Sequence, residues 1–257
     1  MSQALAQLLP GSLFAVLLVF CRVGSALMLL PGFGDLYVPI RVRLLLAVLL
    51  AGLLTGVLAP LLPALPASIG RLAALVGGEV VIGLFFGTVA RILMTALETA
   101  GAIVSYQLGL SAAQVFNPQM AQSGTVASAF LTVLGTLVIF LTNTHHLMLR
   151  GLVASYGVFP PGGFPLVGDL SDAVARIVAS TFALAIELAA PFIVVGTLFF
   201  VALGLLSRLM PQLQVFFVIL PVQIAGGLAI LAVTLYAITA WFVDGFTQRL
   251  ADLVPFQ

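Results

Sequence analysis

Apolar residues along this chain gather into six runs, at about 12–30, 43–62, 72–97, 126–149, 177–207 and 212–243. A hydrocarbon core about 30 Å thick needs about 20 apolar residues when crossed as helix. Each run approaches or exceeds that length, so each predicts a membrane helix, and the two longest can tilt, kink or split. Turn-forming residues punctuate the runs. LPGFGDLYVP (30–39), APLLPALPAS (59–68) and FPPGGFPLVGDLSD (159–172) carry the prolines and glycines expected of connections. No alternation of period two persists, which argues against a membrane barrel. No repeat of fixed period is visible and no separate soluble domain stands out. The predicted fold class is all-α, a polytopic membrane protein built of helical hairpins with about six apolar helices.

Composition supports that pattern. The chain has 257 residues, of which 62% are hydrophobic and 7% charged, against roughly 45–50% and 25% in soluble domains. Mean hydropathy is +1.28. The net charge is +1 and no lysine is present. No basic run could neutralise a phosphate backbone, so nucleic acid is not an expected partner, whereas membrane lipid is. Cys21 is alone, which excludes an intrachain disulfide and fits a small core residue. The opening MSQALAQLLPGS lacks the positive region of a cleavable signal, so the first run is expected to stay as a membrane segment. Loop arginines orient the chain weakly. With the N-terminus periplasmic, Arg41, Arg43 and Arg208 fall inside, while Arg71, Arg150, Arg176 and Arg249 fall outside beside Asp169, Asp172, Asp244 and Asp252.

Charges inside apolar runs are costly and usually face protein or water. Glu79, Gly83, Gly87 and Arg91 follow at four-residue steps, a slanting stripe that reads as a helix-packing seam. Gly83 and Gly87 form a small-xxx-small pair, and Gly52 and Gly56 repeat it. Glu187 precedes Pro191 by four, where proline removes a helical hydrogen bond and a kink is plausible. In TNTHH (142–146), His145 and His146 are adjacent and would point about 100° apart on a helix, so they read as interfacial polar caps rather than metal ligands. No G-x-S-x-G, P-loop or H-E-x-x-H motif occurs. The chain therefore reads as no enzyme, with no catalytic, cofactor-binding or metal-binding residues and no cofactor.

Two polar interruptions remain. In GLLSRLMPQLQVFFVILP (204–221), Arg208 sits where a helix would end, and a cation favours that end. Pro211 cannot continue a helix but can start one, and Gln212 and Gln214 follow it. The stretch reads as a tight helical hairpin with a polar tip. The segment SYQLGLSAAQVFNPQMAQSGT (105–125) is neither strongly apolar nor charged. Asn117–Pro118 signals a turn, flanked by the bulky Phe116 and Met120, with Gly109 and Gly124 toward its ends. It reads as a loop that lines or plugs a passage.

Taken together, GLLSRLMPQLQVF, YQLGLSAAQVFNPQ, TNTHH, FGDLYVPIRVRLLLA and GEVVIGLFFG resemble the FliR family of flagellar type III export-gate proteins. The resemblance runs in order over nearly the whole chain, and the R-x-x-P-Q motif at Arg208, Pro211 and Gln212 is quite specific in this context. It implies a structural and gating subunit that assembles with FliP-like and FliQ-like subunits in the inner membrane, at the flagellar basal body. FlhB-like and FlhA-like export proteins are the further partners it implies, and unfolded rod, hook and filament proteins are the cargo in transit. It implies a FliP-like part over about 1–176 and a FliQ-like hairpin over about 177–257, with Arg208, Pro211, Gln212 and Gln214 contacting neighbouring subunits. It places a channel plug between about Gln107 and Gly124. The chain departs from the family pattern at Thr144, where glycine is frequent, at Gln214, where asparagine is frequent, and at Gln223, where lysine is common. The equivalent subunit of a virulence injectisome is the near alternative. A small-molecule permease, which would be expected to show internal repeats around a midplane site, is the alternative from another class.

Overall fold

The computed structural model describes residues 2–110, 124–163, 167–209 and 215–253. They are mostly helical, with no strand among them. The helices are α1 (Ser2–Leu27), α2 (Ile40–Leu58), α3 (Ile69–Gln107), α4 (Val126–Leu141), α5 (Thr144–Val158), α6 (Val167–Leu209) and α7 (Val215–Leu253), with a 3₁₀ turn at Ala59–Leu61 after α2. Among the described residues, α2, α3, α6 and α7 are long and apolar enough to cross a membrane, and α4 with α5 adds a fifth crossing if the bent pair is one span. α1 carries an apolar stretch at Gly11–Leu27.

The run expected at 126–149 is thus two helices. The break lies at Asn143, whose φ of 59° is left-handed. Asparagine visits that region more readily than most residues. Thr142 closes α4 by donating its N–H to Val138 O at 2.9 Å. Two other boundaries move outward. α3 continues ten residues past the expected end at 97, because Thr99 to Gln107 contains nothing that stops a helix. α6 starts at Val167, inside the stretch expected to be loop, and then runs through Pro191 without interruption.

The described residues divide into two compact units. Those within 1–93, 143–177 and 247–257 form one, and those within 94–142 and 178–246 form the other. In the first, α1 buries Phe14, Leu18, Val19, Arg22, Val23, Ala26 and Leu27, the three- and four-residue spacing of one helical face. Phe14 and Leu18 meet Leu75 of α3, with Leu72 and Val76 beside them. Arg22 meets Glu79, and Ala26 and Leu29 lie over Gly87. Residue numbers rise together on both helices, so α1 and α3 run parallel, as two helices separated by one returning helix must. The turn after α1 is fastened by Asp35, whose carboxylate accepts from Gly32 N at 2.8 Å and Tyr37 Oη at 2.5 Å. Arg43 donates to Asp35 O at 2.9 Å.

In the second unit, the end of α3 packs against α4. A side chain at Gly101 would strike the backbone of Ala127 and Ser128. Ser128 Oγ donates to Glu98 O at 2.7 Å, and Ser105 Oγ accepts from Ala127 N at 3.3 Å. Thr125 caps α4 by accepting from Ser128 N, the role expected of a threonine at a helix start.

Candidate functional site

The first unit is built around a buried cation. Arg22 has no exposed surface and Glu79 is 1% exposed. Arg22 Nε donates to Glu79 Oε2 at 2.7 Å and Nη2 to Oε1 at 2.9 Å, a two-pronged pairing that suits the planar guanidinium. The remaining donors reach α5. Nη1 donates to Ser155 Oγ at 3.1 Å, and Nη2 to Phe159 O at 2.9 Å just past the helix end. The guanidinium carbon lies 3.7 Å from the centre of the Tyr156 ring, within the range of a cation–π contact. One side chain thereby ties α1, α3 and α5 together.

The proposed seam divides on this framework. Glu79, Gly83 and Gly87 are buried against α1, while Arg91 is exposed. A Cβ at Gly83 would fall on Arg22 O and Ser25 Oγ, and one at Gly87 would lie 2.8 Å from Ala26 O. Both glycines therefore allow backbone-to-backbone approach, which brings Glu79 within reach of Arg22. Gly52 and Gly56 are exposed, with no atom within 4 Å of a built Cβ. Glu187 is exposed on α6. The rings of His145 and His146 lie 4.1 Å apart. No cluster of three or more His, Cys, Asp or Glu able to hold a metal occurs among the described residues.

In the second unit, the stem of the proposed plug is described but its tip is not. Phe116, Asn117, Pro118 and Met120 lie outside the described residues. Gln107 is the last residue of α3. Gly109 N donates to Tyr106 O and Leu110 N to Ser105 O, the paired bonds of a Schellman helix end. Gly109 supplies the left-handed φ of 72° that this motif requires. A Cβ there would also meet Leu220 Cδ1 at 3.0 Å. Gln223 Nε2 of α7 donates to Gln107 O at 2.8 Å, and Leu108 lies over Gly227. The returning end has Gly124 at φ 79°. Thr125 Oγ1 donates to Gly101 O at 3.4 Å, so after segment 111–123 the chain returns onto α3 inside that helix. Beside the outgoing end is a cavity of about 170 Å³ between α6 and α7, lined by Gln107, Phe192, Gly196, Phe199 and Gln223 among others. The Gln107 Oε1 atom is buried there with no hydrogen-bond partner among the described residues.

Of the proposed hairpin tip, Arg208 is exposed in the last turn of α6. Pro211, Gln212 and Gln214 lie outside the described residues. Sequence reasoning passed over Arg22. The signal was present, since Arg22 is the sole charge in the first 34 residues and sits inside an apolar run. Its partner was not legible, because Glu79 and Glu187 both lie in apolar runs and Glu98 directly follows one.

The family model of bacterial export proteins, family 1, matches residues 13–249. The chain is 40% identical over 237 residues to the flagellar biosynthetic protein FliR of Caulobacter vibrioides, covering 92% of this chain and 94% of that one. The chain belongs to the FliR family of bacterial export proteins. The FliR of Bacillus subtilis is 32% identical over 233 residues, 87% of each chain. The Yop proteins translocation protein T of Yersinia pestis is 31% identical over 165 residues, 63% of each chain. The matched span of this FliR-family chain includes both the Arg22–Glu79 cluster and the stem at Gln107–Gly109.

Proposed function

We propose that this chain is a structural and gating subunit of the flagellar type III protein export channel. The observation that carries this is the 40% identity to a flagellar FliR over 92% of the chain. The shorter match to the Yersinia translocation protein favours the flagellar over the injectisome system. The helices suit life in an assembly: only 17% of the apolar window of α2, 22% of that of α6 and 11% of that of α7 is buried within the chain, against 61% for α3. Much apolar surface is therefore left for lipid or other subunits.

On this reading the chain joins FliP-like and FliQ-like subunits, with FlhB-like and FlhA-like proteins alongside, in the inner membrane at the basal body. Unfolded rod, hook and filament proteins pass through the assembled gate. About 1–176 is the FliP-like part and about 177–257 the FliQ-like hairpin, giving about six apolar helices in all. Arg208, Pro211, Gln212 and Gln214 form its tip and contact neighbouring subunits. The segment from Gln107 to Gly124 is the plug, a reading supported by its glycine-bounded stem, with Gly109 and Gly124 both left-handed. Glu79, Gly83, Gly87 and Arg91 form the packing seam. The family is a structural one, and the chain has a gating rather than a catalytic task.

The test is complementation. The chain is expressed in a flagellated bacterium lacking its own FliR, and hook protein in the medium and swimming are measured. Restored secretion, with small helical membrane proteins co-purifying in mild detergent, is the expected result. A stably inserted chain that restores nothing and purifies alone would refute the reading.

A further inference from the structure

Unit 1 carries an open groove of about 650 Å³ between α2 and α5, over α1. That volume lies within the roughly 300–1,000 Å³ of sites for drug-sized ligands. Leu50 and Leu54 of α2 and Val153 of α5 form its walls, with Val23 of α1 beneath. The polar residues of its lining are His146 and Arg150, four apart and so on one face of α5. Both are exposed. Arg150 makes no hydrogen bond or ion pair among the described residues, and no acidic residue lines the groove.

α5 differs from the apolar α4 before it. Within 15 residues it carries Thr144, His145, His146, Arg150 and Ser155, and it begins at the break made by Asn143. A trough of aliphatic side chains opening beside an unpaired guanidinium is complementary to an amphiphile with an anionic head. Arginine's planar fork matches a phosphate in two-point geometry, and basic pockets between membrane helices bind such headgroups.

We propose that this groove holds an anionic phospholipid, with one acyl chain along Leu50, Leu54 and Val153 and the phosphate at Arg150 beside His146. The site goes beyond the export reading and stands or falls separately from it. The full chain with its co-purifying subunits is stripped of lipid in detergent. Phosphatidylglycerol or phosphatidylcholine of identical acyl chains is then titrated back, and adducts are counted by native mass spectrometry. Phosphatidylglycerol should be retained at least about fivefold better, the factor that one cation near an anionic surface supplies. Arg150→Gln should erase most of that preference, and Arg150→Lys should keep part of it. His146→Asn should weaken it, and serves as the second variant if Arg150→Gln does not fold. Equal retention of the two lipids, or an unchanged preference in a folded Arg150→Gln, overturns the proposal. So does a photocrosslinker at Leu54 that labels a co-purifying protein in place of lipid.

Discussion

Replacing Arg22 with methionine removes the cation at the centre of unit 1 while keeping an unbranched chain of similar length. Glu79, 1% exposed, would then be a buried carboxylate without its partner. Breaking a buried ion pair from one side costs about 3–5 kcal/mol. Two further losses fall within or add to that figure. Phe159 O, partly buried, loses its donor at 2.9 Å, and since a fully buried orphaned acceptor costs about 1–3 kcal/mol, this loss falls at the low end of that range. The contact with the Tyr156 ring at 3.7 Å is worth about 2 kcal/mol when desolvated. Ser155 suffers less, because its hydroxyl also donates to Leu152 O at 2.6 Å. Against a total stability of about 5–15 kcal/mol, the single variant should lose a third or more. The double variant Arg22→Met/Glu79→Met removes both charges, and apolar replacement of a whole buried pair is often neutral or stabilising. It should therefore recover most of the loss, falling short by the cost of the Phe159 carbonyl. The assay is thermal unfolding of the purified complex for wild type, both single variants and the double. If Arg22→Met melts with wild type, or the double variant is as impaired as the sum of the singles, the pair is not the coupled, desolvated unit that the distances describe.

Gly87→Leu should destabilise the purified complex by about 1–3 kcal/mol or more, since overpacking costs that much and the obstacle at 2.8 Å is the Ala26 backbone. Gly77→Leu, with nothing within 4 Å on the same helix, should be neutral, and equal melting of the two variants would place the seam elsewhere. At the α4–α5 break, Asn143→Gly should be tolerated, whereas Asn143→Ala should cost about 1–2 kcal/mol for a left-handed backbone; a stable Asn143→Ala in a melting scan would contradict the φ of 59°. Phe116→Ala, in the proposed plug, should let the resting membrane leak small solutes while hook-protein export persists, and solute uptake unchanged with assembly intact would make segment 111–123 a connector only.

Much was legible along the chain because the bilayer imposes a one-dimensional rule: enough apolar residues in succession to cross as helix. That rule placed α2 within a few residues, and the proline-rich 59–68 separated it from α3. It also made Gly83 and Gly87 readable as a close-packing pair, since only a missing side chain lets helix backbones touch. The rule is blind wherever a single residue's dihedral decides. The run at 126–149 looked continuous, and Asn143 divides it because its backbone is left-handed, a choice that hydropathy does not register. The tertiary structure alone decided what the scarce charges do. Arg22 finds Glu79 across 57 positions and Ser155 across 133, and no local pattern carries such distances. Arg91, placed by spacing on the same stripe as Glu79, is exposed, because a stripe at four-residue steps drifts about 40° per step and leaves the contact face. Likewise the amide of Gln223, 116 positions from Gln107 in the chain, reaches the stem of the loop only because α3 and α7 pack together. Composition and periodicity thus fixed which segments avoid water, while pairing among the few polar groups depended on which helices became neighbours, and only packing in three dimensions selects those.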